Sequence, residues 1–452
     1  MGMAGSTQRI SQDFYERVGS ILDKIDGEFC CEQQDVGPSQ EGREWWSLSS
    51  GYHSSVATSE VSVGEPGVLD ASLTSTDTSD DEDDSAWGED EWPANRALPL
   101  PKWGCQRPEL HLATLEEHQT FLGRVRQHLR HILASHSYDT VSNFVMFGKE
   151  YVSSRVQYPS LDDFYREYDP PLLPGRHTCV GLTCLLETSL SGLEPHYPGL
   201  KDAIYKVSCE EEVDQVAWYC QGDTPPTTCE KEHVLLCVRV RVCGRVGLVL
   251  LDPGFHVGEP ITVMEDGQEP QSGAVIGSTA RTQVVRTYRY RCWPDNTAYV
   301  AWEVTEERET SPPRQHTSLI HVARPFLSGI DVAERRNLAY PFKTLVAREP
   351  SGRLTCGLYF PVRECRQTCV TLFHQVAGQP HHLKVPLNYF LEETTREDQI
   401  EAAVAAVAEG TSRTPEDLRL TLAAVAHLLR DQDFLQQLTQ LNEAIDSISK
   451  DN

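Results

Sequence analysis

Cys179, His233 and Asp252 are residue types that together can make a nucleophile. A thiol needs a nearby base to ionise at neutral pH, and the base needs an acceptor that fixes its tautomer. Cys179 stands in "PGRHTCVGLTCLLETSL", where a Pro-Gly break precedes an apolar helical pattern. That places the thiol at or near a helix N-terminus, whose unpaired N–H groups and positive dipole end favour the thiolate. His233 opens the β-forming run "HVLLCVRVRV", and Asp252 closes the next apolar run, Val246 to Leu251. A hairpin across "VCGRVG" would set both at the same end of one sheet. A lone carboxylate there loses solvation and needs a partner, which His233 would supply. Cys184, further along the same helical pattern, competes for the nucleophile's role. Each residue also has an ordinary place: a buried Cys is a small hydrophobe, a His can sit exposed at a strand end, and Asp-Pro-Gly is a turn.

The elements that must position these residues are legible as patterns. "TLEEHQTFLGRVRQHLRHILASH" carries Leu115, Phe121, Leu122, Val125, Leu129 and Ile132 on one face, with Thr114 and Glu117 as a capping box. Further helical turns run to about Tyr168, where "DPPLLPGRHTC" breaks them. From His233 the period becomes two. Strands are predicted over 233–242, 246–251, 283–292, 297–306, 317–323, 341–348, 353–361, 367–374 and 382–388. After Glu393 helices return: Thr414 is an N-cap, Pro415 lies in the first turn, and Leu418, Leu422, Val425 and Leu429 form a stripe. These terminal helices read as a packed module or a partner-binding surface.

The N-terminal part differs. An amphipathic helix is expected over residues 9–29, and the stretch from about Cys30 to Leu100 is too polar to offset its ordering entropy. Asp77 to Glu91 holds nine acidic side chains and no basic one. Ser79 before Asp80-Asp81-Glu82 resembles a site for an acid-directed kinase, although a solvated charge run is the better explanation.

At 452 residues the chain can hold two or three domains, and its net charge of -27 disfavours nucleic acid and anionic membranes as general partners. No apolar stretch approaches a bilayer span of roughly 20 residues. Fourteen cysteines at irregular spacing suit a reducing, cytoplasmic setting. Met1-Gly2 with Ser6 fits a myristoylation pattern, but no polybasic second signal follows it, so stable membrane anchoring is not expected.

The stretch "HVLLCVRV…GLVLLDPGF…EPI" resembles the segment of arylamine N-acetyltransferases in which the catalytic histidine opens one strand and the catalytic aspartate ends the next. Gly254, Phe255, Pro260 and Ile261 fill the family's following places, and "GIDVAERRNLAYPFKTLVAREPSGRLTCGLYFPVR" resembles its later segment. The likeness covers about residues 170–390. It implies an α+β protein: a helical bundle with the nucleophile (residues 110–230), an antiparallel β-barrel with His and Asp (231–325), and a small α/β lid (326–395). A helix (1–29) and a disordered acidic segment (30–105) would precede them, and extra helices (396–452) would follow. The resemblance also implies ping-pong transfer: Cys179 takes acetyl from acetyl-CoA, His233 shuttles the proton, Asp252 holds the imidazole, and Gly254 and Phe255 line the coenzyme cleft. Pro253 and His256 replace residues that are hydrophobic and usually glycine in the family, so His256 is expected to crowd that cleft.

Two other readings share these residues. The same triad serves a thiol hydrolase or peptidase, and the scaffold could be a non-catalytic adaptor meeting a protein partner through its acidic segment or terminal helices. The small-molecule partner of the first reading is an amine. A metal is not expected: Cys365, Cys369, His374, His381 and His382 are close in sequence, but alternate residues of one strand face opposite ways.

Overall fold

The structure is a computed structural model that describes residues 92–449, apart from 256, 279–283, 309–310, 377–378 and 392–395. The helix expected over 9–29, the acidic run, Gly2 and Ser79 lie outside the described residues.

Helix α1 (Leu115–Ser135) starts where its capping pattern predicts. Thr114 Oγ1 accepts from the Glu117 N–H at 3.1 Å, and the Glu117 carboxylate reaches back to the Ala113 N–H at 2.7 Å. Phe121, Val125, Leu129 and Ile132 bury their stripe, whereas Leu115 stays exposed at the first turn. Helices α2 (Val141–Ser154), α3 (Leu161–Glu167) and α4 (Cys179–Leu190) follow.

The main sheet has nine strands. They are β1 (Leu110–Leu112), β3 (Ile204–Glu210), β4 (His233–Val242), β5 (Arg245–Leu251), β6 (Ile261–Met264), β7 (Val275–Ser278), β8 (Val284–Trp293), β9 (Asn296–Arg308) and β10 (Ser311–His321). Their order is β6-β5-β4-β3-β10-β9-β8-β7, antiparallel throughout, with β1 added parallel to β4. The sheet curls into a half-barrel around an inner face that includes Tyr205, Leu235, Leu250, Phe255, Tyr290 and Trp302. A barrel beginning at residue 231 is therefore corrected in one respect. Strand β3, inside the stretch assigned to helices, sits between β4 and β10. It is buried on both faces, so it carries no alternation to read.

A second antiparallel sheet has the order β14-β13-β12-β11-β2. It joins β11 (Phe342–Arg348), β12 (Leu354–Pro361), β13 (Cys369–Val376) and β14 (Gln379–Pro386) to the short β2 (Tyr138–Asp139) from the helical region. Helices α5 (Asp398–Gly410), α6 (Pro415–Leu428) and α7 (Gln432–Asp446) complete the chain. Thr414 Oγ1 caps α6 by accepting from the Asp417 N–H at 3.0 Å, and Leu418, Leu422, Val425 and Leu429 are buried in the same core as Cys179. Their apolar stripe is thus covered by the chain itself.

Residues 92–105, expected within the polar segment, lie against this body. Ala97 and Leu98 are buried, Trp103 bridges to Phe326, and Arg166 donates to the carbonyls of Pro93, Ala94 and Arg96. A few apolar anchors suffice there, which an average over the composition conceals.

Candidate active site

The Pro-Gly break does deliver Cys179 to the first position of α4, with Thr178 as the preceding cap residue. Gly175 takes φ +72, a left-handed turn that glycine adopts without strain. The loop is then tied down from three sides. The Asp139 N–H donates to the His177 carbonyl at 2.8 Å, Arg176 pairs with Asp417 at 3.1 Å, and Arg413 pairs with Asp139. Thr178 uses its hydroxyl elsewhere: Oγ1 donates to one oxygen of Glu334, while Asn143 Nδ2 donates to the other. Burial pushes the Glu334 carboxyl up to about 7, against the opposing effect of those two hydrogen bonds.

His233 opens β4 and is paired with Cys209 of β3. The hairpin to β5 closes as predicted. Val242 pairs with Arg245, so Cys243 (φ +51) and Gly244 (φ +81) make a two-residue turn whose positive angles match the twist of the strands. At the other end, the His233 Nε2–H donates to Asp252 Oδ2 at 2.8 Å. The second oxygen, Oδ1, accepts from the N–H groups of Gly254 at 2.9 Å and Phe255 at 3.1 Å. Asp252 therefore starts a turn and orients an imidazole with the same carboxylate.

Cys179 is an electrostatic neighbour of the same imidazole. Burial alone would depress the imidazole, but the charge and hydrogen bond of Asp252, with Cys179 adding to them, hold it well above the ordinary histidine range. The structure brings Cys179, His233 and Asp252 into one neighbourhood, and Cys184 lies apart from it. Its thiol neighbours Lys206 and Glu187, and burial pushes it up. Cys179, His233 and Asp252 are 1%, 6% and 7% exposed.

Gly254 packs against the Cys179 Cβ and the imidazole. A Cβ there would stand 2.9 Å from the Cys179 Cβ and 3.0 Å from His233 Cε1. Phe255 is buried, edge-on to Trp302 at 4.7 Å between ring centres. Its carbonyl accepts from Arg348 Nη1 at 2.8 Å. Arg348 Nε and Nη2 are buried without a partner among the described residues, and burial pulls this guanidinium down to about 10. His256 lies outside the described residues.

Several neighbours of the site were not read from sequence. Tyr138, on β2, is pushed above the usual phenol range by burial, with Cys179, Glu334 and Glu211 adding to it. Glu211 follows β3 directly and is an electrostatic neighbour of His233 and Asp252. The signal for Glu211 was present in "IYKVSCEE", a strand-length run that ends in two acids, but it needed β3 to be recognised as a strand. As for metal, among the described residues no group of three or more His, Cys, Asp or Glu side chains could hold an ion. His374 and His381 face each other across β13 and β14, while Cys365 is buried and Cys369 exposed.

No family model matches the chain, and no curated protein matches it. Among solved structures, the arylamine N-acetyltransferase from Mycobacterium abscessus aligns over 68% of this chain and 88% of its own, with a TM-score of 0.37 and 11% identity. At that score the likeness is too slight to argue from.

Proposed function

We propose that this protein is a cysteine-dependent N-acyltransferase that passes an acyl group from a thioester donor, acetyl-CoA in the first instance, through Cys179 to an amine. The observation that carries this reading is the hydrogen bond from His233 to Asp252, with Cys179, at the first turn of α4, as an electrostatic neighbour of the same imidazole. The imidazolium and the helix N-terminus stabilise a thiolate. That sulfur attacks the donor's carbonyl carbon, a new S–C bond forms, and the donor's C–S bond breaks. His233 hands its proton to the departing thiolate. An amine then takes the acyl group and returns a proton to His233, which restores the starting ion pair. Gly254, whose missing side chain lets the chain lie close against Cys179 and His233, and Phe255 border the reacting pair. Cys179 is only 1% exposed, so the donor reaches the sulfur only if its covering shifts on binding.

That same burial favours one rival, a non-catalytic scaffold on this fold. Intact mass spectrometry after mixing with acetyl-CoA decides between them. The expected result is one acetyl adduct, retained in Cys184→Ser and lost in Cys179→Ser. An adduct that decays without added amine would favour a hydrolase, and no adduct at all would leave the scaffold.

A further inference from the structure

We propose that Glu211 is the proton acceptor for the incoming nucleophile, and that the acceptor class is therefore primary alkylammonium ions rather than weakly basic arylamines. This inference rests on the acyl-transfer reading above.

Its geometry comes from three neighbouring strands. Tyr205, Val207 and Cys209 of β3, Leu235 and Cys237 of β4, and Leu248 and Leu250 of β5 all belong to the inner face of the half-barrel. Side chains alternate along a strand, so continuing each series leads to Glu211, His233 and Asp252. Because Cys209 pairs with His233 and Leu236 with Leu251, the three stand at one end of the sheet. The same placement makes Glu211 a neighbour of His233, Asp252 and Tyr138, and Tyr138 is itself a neighbour of Cys179.

The surrounding carboxylates are engaged. Glu210 accepts from Lys231 Nζ at 2.9 Å and from the Glu230 N–H at 3.0 Å. Glu230 pairs with Arg336, Glu212 with Arg314 at 3.6 Å, and Glu232 accepts from the Glu211 N–H at 3.3 Å. The Glu211 carboxylate makes no hydrogen bond or ion pair among the described residues, and it remains half-buried where the triad is buried. Burial raises it to about 7, opposed by His233 and reinforced by Glu212, Asp252 and Glu210. A base tuned near neutrality suits proton transfer at physiological pH.

The chemistry separates two kinds of amine. An alkylamine, like a lysine side chain with its pKa of roughly 10.4, arrives protonated and has no lone pair to offer. Its ammonium proton passes to the Glu211 carboxylate. The freed lone pair forms the C–N bond as the Cys179 thioester C–S bond breaks, and sulfur leaves with that electron pair. The second proton on nitrogen goes to His233, and Glu211 later releases its own to water. An arylamine, already neutral, gains nothing from the first step.

The test loads the full-length protein with acetyl-CoA, removes the coenzyme, and follows loss of the adduct in n-butylamine or aniline. Wild type is expected to discharge faster to n-butylamine. Glu211→Gln should load normally, lose roughly tenfold or more of its n-butylamine discharge, and keep aniline discharge within about twofold. A wild-type preference for aniline, or unchanged n-butylamine discharge in Glu211→Gln, overturns the inference. If Glu211→Gln fails to load, Glu211→Asp takes its place, with the same selective loss of n-butylamine discharge expected and an unchanged discharge overturning the inference. Absence of any adduct in wild type would instead overturn the acyl-transfer reading beneath it.

Discussion

Asp252 carries two loads on two oxygens, and they can be separated. In Asp252→Asn the side-chain oxygen can still accept from Gly254 and Phe255, but the charge facing His233 is gone. The reaction of Cys179 with iodoacetamide at neutral pH should then slow by about tenfold or more. An unchanged rate would remove Asp252 from any part in activating the thiol. The stability dependence has a definite sign. His233 is held above its unfolded value, so its contribution is complete below roughly pH 6.5 and is lost as pH rises through the folded value. The variant should lose that slope in thermal melts. Gly254→Ala tests the space over the sulfur. Its new Cβ would lie 3.2 Å from the Cys179 Cα as well as against both side chains, so the start of α4 must shift. A loss of about 1–3 kcal/mol in urea unfolding, with slower alkylation, is expected. Full stability would mean that the loop is looser than its contacts indicate.

At the scale of elements, the strands carrying His233 and Asp252 were legible because their flanking patterns are local. "HVLLCVRVRV" matches β4 from end to end, and the turn at Cys243-Gly244 follows from its residue types. The start of α4 was legible for the same reason, since Pro174 and Gly175 break the chain just before it. What stayed hidden depends on distant partners. Thr178 reads as an ordinary cap, yet its hydroxyl is taken by Glu334 from far along the chain. Strands β3 and β6 are buried on both faces, so neither shows a period of two, and β2 has only two residues. Without β3, Glu211 looks like one more acid in "CEEEVD" rather than a group on the same face as His233. The site's core was thus readable from short runs, and its surroundings were not.

At the scale of the whole molecule, the last three helices hold the site rather than hanging from it. Arg413 of the α5–α6 connection joins Asp139, and Asp417 of α6 joins Arg176, so the loop ahead of Cys179 is gripped from α6. Arg336 joins Glu230 to Asn442 and Asp446 of α7, which fixes the approach to His233. Asp139 shows what the grip is worth. Burial would raise its carboxyl, but Arg413 and the hydrogen bonds from Ser142 hold it below the usual carboxylate range. Its contribution is therefore present above its unfolded pKa and lost as pH falls through the folded one. Arg413→Ala strands a buried carboxylate and should cost about 3–5 kcal/mol in urea unfolding, together with that acid-side dependence. A variant of wild-type stability would show the clamp to be incidental.

The hairpin that ends β4 also offers a vantage point. Cys243 is exposed at the turn, ten residues along the strand from His233, which at a strand's rise is roughly 30 Å away. With the other accessible cysteines replaced, Cys105 and Cys369 among them, a fluorophore on Cys243 would ride the same ribbon as the imidazole while standing clear of it. Energy transfer from such a dye to one carried by an acyl donor would measure the distance from the hairpin's tip to the bound donor.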